Sequence, residues 1–213
     1  MSLRGLYLKQ EYRSDRNDLV SEFFVPCLSN CIQFDRAIQY VTSKSITTLW
    51  AGFTNFANNN AKIRIISGHR FKPDDLSLLS KSFHEESKEK SPTSHDIVDG
   101  KNIEILRKII HNNNLEIKIA IPDTDVCMTF SENIGIFKDS ENNMVAFSGT
   151  SNETFSNQNR NFESIDVFTS WNDKSRVETK VDDFEKLWMN KTKHVKVYDF
   201  SYAVKNNLLK YSL

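Results

Sequence analysis

The sequence has few of the residues that cross-link a chain or anchor it in a membrane. Its 213 residues include three cysteines, Cys27, Cys31 and Cys127, an odd number without the spacing of a zinc site. We expect buried thiols in a reducing cytosol. No run of about 18 apolar residues occurs, and the N-terminus has no apolar core of signal-peptide length. The sequence therefore predicts a soluble, cytoplasmic protein without a membrane partner.

The sequence also lacks an excess of charge of either sign. Lys and Arg together number 28, as do Asp and Glu, so the formal net charge is zero. The field of the whole protein cannot hold a polyanion, and any contact with nucleic acid must be local. The length fits one α/β domain, with a polar arm at residues 1–22 and a single domain at residues 23–213.

Alternating and helical patterns predict the fold class. A strand from Phe34 to Val41 with one well-buried face, an amphipathic helix from Ile46 to Phe56 and a strand from Lys62 to Ile66 suggest a βαβ unit with parallel strands. Asn runs at 58–60 and 112–114 predict helix ends, because Asn tolerates the left-handed conformation. We predict an α/β fold with a mixed, mostly parallel central sheet flanked by helices.

Further elements follow along the chain. The predicted helices and strands are a helical stripe from Leu76 to Phe83, a helix from Asn102 to His111, a strand from Leu115 to Ile121, a hairpin of Ile134–Phe137 and Met144–Phe147, a strand from Ile165 to Phe168, a helical stripe from Val181 to Trp188, a strand from Val195 to Tyr198 and a terminal helix from Tyr202 to Tyr211. The apolar set Phe162, Ile165, Phe168 and Trp171 is expected in the core, since strands of α/β sheets are buried.

An ordered series of blocks surrounds the segment from Phe130 to Glu163. The blocks are AKIRIISG, ENIGIFKDSENNMVAFSGTSNET, NFESIDVFTSW and DDFEKLW, and they include the tetrapeptide Gly149-Thr150-Ser151-Asn152. Over roughly Phe23 to Tyr198 the chain resembles the phospholipase D-like nuclease domain that is often fused to superfamily-two helicases in restriction and phage-defence systems.

The resemblance implies a mechanism and partners. In that family a His attacks phosphorus, the His of a second motif protonates the leaving oxygen, and Lys and Asn side chains hold the non-bridging oxygens. A chain with one motif would complete its site as a homodimer, without a metal or other cofactor. The implied partners are a DNA phosphodiester backbone and a helicase or restriction subunit.

The sequence departs from the family pattern at the positions that carry the chemistry. Ser131 stands at the His position and Asn133 at the Lys position, while Asp139 lies one residue beyond the usual spacing of the motif Asp. A hydroxyl without a neighbouring base lacks the nucleophilicity of imidazole, and an amide brings no positive charge to a phosphate. We therefore expect little or no hydrolysis of the family type.

Other candidate residues keep two interpretations. Thr150, Ser151 and Asn152 would bind phosphate, or Ser151 and Asn152 would instead satisfy a strand-to-loop turn. Glu163 would orient a motif residue across the site, or act as a cap or pair with Arg160. His69, with Arg70, follows a parallel-type strand at the end where α/β folds bind ligands, so it would contact phosphate or belong to a solvated loop.

Three functional hypotheses follow. The first is a degenerate phospholipase D-like domain that keeps the fold and weak phosphate binding, with Ser131, Asn133, Asn152 and Glu163 as the motif positions. The second is an active, metal-independent phosphodiesterase that uses a displaced group such as His69. The third is a dimerisation or docking module without phosphate affinity.

Overall fold

The computed structural model describes residues 2–42, 45–46, 61–83, 104, 106–126, 129–150 and 162–211. The strands are β1 (Glu11–Arg13), β2 (Gln33–Ile38), β3 (Lys62–Gly68), β4 (Arg70–Phe71), β5 (Leu115–Pro122), β6 (Ile134–Lys138), β7 (Met144–Gly149), β8 (Ser164–Thr169), β9 (Val195–Asp199) and β10 (Lys210–Tyr211). The helices are α1 (Val25–Asn30), which continues a π-helix at Val20–Phe24, then α2 (Pro73–Phe83), α3 (Lys174–Trp188) and α4 (Phe200–Lys205). Residues 106–111, within the helix predicted from Asn102 to His111, are also helical.

The main sheet is mixed, with parallel strands at its centre. Eight strands lie in the order β1-β8-β7-β6-β2-β3-β5-β9. The central strands β2, β3 and β5 run parallel, and the outer neighbours pair antiparallel. Helices pack on this sheet, so the predicted α/β class and its parallel centre are confirmed. Of the helix predicted from Ile46 to Phe56, only Ile46 lies within the described part, and it is helical.

Each face of the sheet carries a hydrophobic core. On one face a cluster of aromatic rings joins the N-terminal helices to the sheet, and Phe34 and Phe137 stack with ring centroids 4.5 Å apart. On the other face Ile134 and Ile136 pack with Phe184 and Leu187 of α3. Full burial of each such side chain contributes about 1.5–3 kcal/mol, so the two cores hold the sheet between two layers.

The N-terminal arm belongs to this core. Leu3 and Tyr12 are buried, and β1 pairs antiparallel with β8 at the sheet edge. The boundary predicted at residue 22 stays a prediction, but the arm packs on the same sheet as the rest of the chain. Cys27 and Cys31 are buried and free, and burial raises the pKa of both thiols; Cys127 lies outside the described residues.

Strand β2 is buried on both faces, whereas its alternating pattern predicts one buried face. Asp35 is buried because Arg64 of β3 holds it with two hydrogen bonds of 2.7 Å. Arg64 also bonds Glu185 of α3 at 2.5 Å. A charged side chain that is paired and hydrogen-bonded can be buried where an unpaired one cannot. The polar residues of β2 therefore do not indicate a solvent-exposed face.

Two further predictions are corrected. The terminal helix ends at Lys205 rather than Tyr211, because Asn207 takes a left-handed conformation (φ 53°) and the chain turns back to pair β10 with β4. Phe162, expected in the core, is 63% exposed and lies under the Arg13 guanidinium, 5.0 Å from its ring centroid.

Candidate functional site

Strands β2, β3 and β5–β9 each have one end at the same edge of the main sheet, which we call the strand-end edge. The parallel strands β2, β3 and β5 finish at this edge. Because β6 runs antiparallel to β2, its first residue, Ile134, lies opposite Ala37 near the end of β2. The same alternation brings the end of β7 and the starts of β8 and β9 to this edge. It is the edge at which open α/β sheets bind ligands.

Ser131 lies on this edge in the approach to β6. Its side chain is exposed, and its hydroxyl oxygen is 3.2 Å from Oγ1 of Thr129. Ser131 also lines a groove of about 620 Å³ together with Lys186, Lys191 and Lys193. No histidine is among the described residues of that groove. Nothing in the sequence indicated that these lysines lie near Ser131, since Lys186 is on α3 and Lys191 and Lys193 follow that helix.

Asn133 lies two residues further on and is half-buried. Its carbonyl accepts a hydrogen bond from the Gly149 N–H at 3.3 Å, which joins the start of β6 to the end of β7. Thr150 and Glu163 follow at the next strand ends. The structure therefore brings the positions of Asn133, Thr150 and Glu163 onto adjacent strands of one edge.

Gly149 allows this close approach. Its φ is +153°, and a Cβ built there would come within 2.1 Å of the Ser164 carbonyl oxygen and 2.8 Å of the Ile165 Cα. A residue with a side chain cannot occupy this position without moving the backbone of β8. The first residue of the Gly-Thr-Ser-Asn block thus has a structural function.

Thr150 also serves the backbone. Its N–H donates to the Ser164 carbonyl at 2.9 Å, and its Oγ1 accepts from the Ser164 N–H at 3.0 Å. These bonds close the end of β7 against the start of β8, while the exposed hydroxyl remains on the surface of the edge. Ser151 and Asn152, the other predicted phosphate ligands of this block, lie outside the described residues.

Glu163 is buried at 8% exposure. Its backbone is held by the arm, because Ser14 N–H donates to the Glu163 carbonyl at 2.9 Å and Glu163 N–H donates to Ser14 Oγ at 2.9 Å. Arg160, the partner considered for Glu163 in the sequence, lies outside the described residues. The main chain at Glu163 is therefore fixed on both sides.

Arg36 is a charged residue near this edge. The alternating pattern of β2 predicted it on the polar face of the strand. It is 1% exposed, its Nη1 donates to the carbonyls of Ala37 and Ile134 at 2.8 and 2.9 Å, and its guanidinium lies 5.1 Å from the Phe147 ring centroid. The latter contact is a cation–π geometry. Arg36 thus brings a positive charge to the β2–β6 junction directly beside Asn133.

Asp139 lies at the opposite end of β6 and is buried. It accepts hydrogen bonds from Ser2 Oγ and Leu3 N–H, both at 2.9 Å, and from the backbone and side chain of Asn143 at 2.8 and 2.9 Å. Burial raises the pKa of Asp139, but the hydrogen bonds from Asn143 and Leu3 outweigh it and hold the pKa below its usual range. Asp139 anchors the arm and does not reach the strand-end edge.

His69 follows β3 and is separated from the motif positions. Ser67 lies level with Ile38 of β2, and β2 separates β3 from β6, so His69 is about 10 Å across the sheet from Asn133. Burial, then the charges of Lys210 and Arg70, lower the pKa of His69, against a hydrogen bond to the Ala120 backbone that raises it. A neutral imidazole results near pH 7.

The cavity beside His69 adjoins the groove that Ser131 lines, which we call the motif groove, and Thr129 and Phe130 line both. It has a volume of about 300 Å³ and is lined by residues that follow β2 and β3 and by Thr129 and Phe130. Neither Ser131, Asn133, Thr150 nor Glu163 lines it. The solvated-loop interpretation of His69 is thus replaced by a buried position at a cavity.

The described residues contain neither a candidate metal site nor a helix that could span a membrane. Within residues 2–42, 45–46, 61–83, 104, 106–126, 129–150 and 162–211, no group of three or more His, Cys, Asp or Glu side chains could hold a metal ion. In the same part of the chain no helix is both long and apolar enough to cross a bilayer.

Comparisons with known proteins give likenesses of structure. No protein-family model and no curated protein matches the sequence. Among solved structures, NucT from Helicobacter pylori is similar at a TM-score of 0.49 and 12% identity, covering 88% of this chain and 97% of that one. Nuc from Salmonella typhimurium, a phospholipase D family member, is similar at a TM-score of 0.47 and 10% identity, covering 89% and 96%.

A phosphatidylserine synthase from Haemophilus influenzae is similar at a TM-score of 0.50 and 10% identity. The match covers 88% of this chain and 39% of the synthase chain. At such low identity a likeness concerns the arrangement of strands and helices and not the chemistry. This chain is therefore similar in fold to part of the synthase.

Proposed function

We propose that the protein is a phospholipase D-like, nuclease-type domain that binds a nucleic-acid phosphodiester backbone and has lost most of its hydrolytic activity. The observation that carries this proposal is the composition of the strand-end edge. Asn133, Thr150 and Glu163 occupy adjacent strand ends, while Ser131 presents a hydroxyl whose described neighbour is the hydroxyl of Thr129. A hydroxyl bonded to a second hydroxyl gains no base to activate it.

Phosphate binding is supported by the cations near Ser131. Lys186, Lys191 and Lys193 line the same groove, and with Glu132 and Asp183 also in the lining the lysines exceed the carboxylates by one. Lys186 pairs with Asp182 at 2.5 Å, but no carboxylate of the described residues lies within 4.0 Å of the Nζ of Lys191 or Lys193. These two lysines can contact a phosphate backbone without first breaking an ion pair, and the interaction would be local, as a chain of zero net charge requires.

The assembly belongs to the same proposal. A single motif in each chain would place two edges face to face in a homodimer, and a helicase or restriction subunit would supply the activity that acts on the bound DNA. The buried thiols of Cys27 and Cys31, whose pKa values are raised by burial, suit a reducing cytoplasm.

Cleavage assays test the loss of activity. The purified chain is incubated with single- and double-stranded DNA, with and without a chelator, and binding is followed in parallel by the anisotropy of a labelled oligonucleotide. We expect salt-dependent binding and little or no cleavage. Robust cleavage that survives the chelator would contradict the proposal, and absence of binding at low salt would favour the docking module instead.

Restoration of the motif is a sharper test. The double variant Ser131→His with Asn133→Lys returns the two missing groups, and Ser131→Ala with Asn133→Ala is the matched control. A nucleophile or general acid commonly contributes about 10²–10⁴-fold, so the first variant should gain at least 100-fold in metal-independent cleavage. Equal activity of the two variants would mean that the edge does not hold these groups in a productive arrangement.

The second candidate is an active phosphodiesterase that uses His69. It is favoured by one observation, the buried imidazole of His69, whose pKa is lowered by burial and which in its neutral form keeps one ring nitrogen as an acceptor. Within one chain the separation of about 10 Å from Asn133 opposes a joint site, so this candidate needs a second chain across the interface. His69→Ala with unchanged cleavage would exclude it.

A further inference from the structure

A second ligand cavity lies beside the motif groove, where β2 and β3 end. Its volume is about 300 Å³, at the lower end of the range for small-molecule sites. Three aromatic residues, Tyr40, Phe71 and Phe130, contribute to the lining, and two cationic ones, Arg70 and Lys72, lie at the same cavity. The combination of aromatic walls and cations suits a ligand with a flat ring and an anionic group.

The charges around the cavity favour an anion. Arg70 and Lys72 are exposed, and no carboxylate of the described part of the chain lies within 4.0 Å of their charged nitrogens. Lys210 of β10 lies close enough to lower the pKa of His69, while Asp75 is the acidic residue of the lining. The cavity therefore faces more positive than negative side chains.

His69 supplies a directional contact. It is 6% exposed and lines the cavity. Burial and the charges of Lys210 and Arg70 lower its pKa, and a neutral imidazole keeps one ring nitrogen as an acceptor. A buried acceptor at the wall of an aromatic cavity can receive a hydrogen bond from an exocyclic amino group or a sugar hydroxyl.

The cavity and the motif groove share a wall. Thr129 and Phe130 line both, and Thr129 Oγ1 lies 3.2 Å from Ser131 Oγ. A polymer that passes Ser131 thus reaches the cavity within one short step along the edge. This connection between groove and cavity favours a nucleic-acid strand over a free small molecule, because a strand carries a base and a phosphate at every nucleotide and can occupy both.

We propose that this cavity is a single-nucleotide subsite that takes one unpaired nucleotide of the strand bound at the motif edge. The base would pack against Tyr40 and Phe130, and its phosphate would be held by Arg70 and Lys72. The inference rests on the proposed function, because the strand is delivered by the neighbouring groove. Stacking on aromatic side chains needs no particular sequence, because every base has a flat face.

Nuclear magnetic resonance of the histidine rings tests the subsite. The full chain has five histidines, so the His69 ring signal can be assigned by its loss in His69→Gln. The probes are deoxyadenosine 5′-monophosphate, deoxyadenosine and inorganic phosphate. We expect the nucleotide to shift the His69 signal saturably, with at least a tenfold weaker response to either part alone. No shift of this signal at millimolar nucleotide would overturn the subsite.

Charge variants separate the subsite from the groove. Arg70→Ala with Lys72→Ala should weaken nucleotide binding at least tenfold and weaken binding of a labelled oligonucleotide too. Lys62→Ala is the matched control, since Lys62 is an exposed lysine at the opposite end of β3. The remaining histidine signals report whether each variant is folded.

The outcomes distinguish the two proposals. If the double variant binds the oligonucleotide as well as the wild-type chain does, the subsite is wrong while the proposed function stands. If the wild-type chain binds the mononucleotide at His69 but no oligonucleotide, the cavity is a nucleotide site while its role in a strand-binding edge is wrong. If the wild-type chain binds neither, both proposals fail.

Discussion

Asp139→Asn should destabilise the fold without impairing the strand-end edge. The carboxylate accepts from Glu141 and Asn143 N–H with one oxygen and from Ser2 Oγ, Leu3 N–H and Asn143 Nδ2 with the other. The Asn side chain has an NH₂ group in place of one carboxylate oxygen. At least two of the groups that donate to Asp139 would then face this NH₂ group, which cannot accept their hydrogen bonds. Each lost bond to a buried charged acceptor costs about 1.5–3 kcal/mol, and we expect a loss of about 3 kcal/mol in the free energy of unfolding.

Urea denaturation measures this effect. With a slope near 2 kcal/mol per molar urea, about 3 kcal/mol lowers the midpoint by about 1.5 M. Glu141→Gln is the control, since it removes the same charge from an exposed side chain of the same turn and should change stability by no more than about 0.5 kcal/mol. An Asp139→Asn midpoint equal to that of Glu141→Gln would refute the anchoring function. So would a normal midpoint combined with lost oligonucleotide binding.

Two further predictions concern the strand ends. Gly149→Ala should cost about 2–4 kcal/mol in unfolding experiments, because its Cβ would meet the Ser164 carbonyl at 2.1 Å; Gly5→Ala, with nothing within 4 Å, should be nearly neutral, and equal midpoints would contradict the close approach. The pKa of His69 is lowered by burial and by Lys210, so the unfolded chain binds more protons and stability falls as pH drops below about 6.5. His69→Gln should reduce the fall in the free energy of unfolding between about pH 7 and pH 5, measured by denaturation at each pH. An unchanged pH dependence would show that His69 does not cause it.

The sequence predicted the elements whose signals are local. Alternating strands such as Leu115–Ile121 and the hairpin of Ile134–Phe137 with Met144–Phe147 are confirmed, since period-two patterns and turn residues lie within a few positions. The Asn run after the helix that ends near His111 is also confirmed as a helix end, with Asn113 at φ 55°.

Burial that depends on distant partners could not be predicted. Asp35 and Arg36 gave β2 an alternating pattern, but Arg64 and Phe147, remote in sequence, allow both faces to be buried. Phe162 shows the reverse case, since apolar neighbours suggested a core position while the structure leaves its ring on the surface. In both cases a residue remote in sequence, Arg64 for Asp35 and Arg13 for Phe162, forms the contact that the local pattern does not indicate.

That Ser131 and its neighbours form a site stays a prediction, and the sequence did not indicate the residues that surround them. The approach to β6 was identified from the blocks around it, whereas the lysines of the groove and the cavity beside His69 are assembled from segments far apart in the chain. No periodicity links Lys191 to Ser131 or Tyr40 to Arg70. Only the order of the strands in the sheet brings them together.

The motif residues divide by what the fold requires of them. Gly149 is needed for the approach of β8, and Asp139 holds the arm through hydrogen bonds remote from the strand-end edge. A chain that keeps this fold needs both residues whether or not it cleaves a phosphodiester. Ser131 is exposed and its hydroxyl lies 3.2 Å from that of Thr129, so a substitution at this position should have little structural cost. Gly149 and Asp139 thus contribute to the resemblance for reasons of folding, and their presence carries no independent evidence of catalysis.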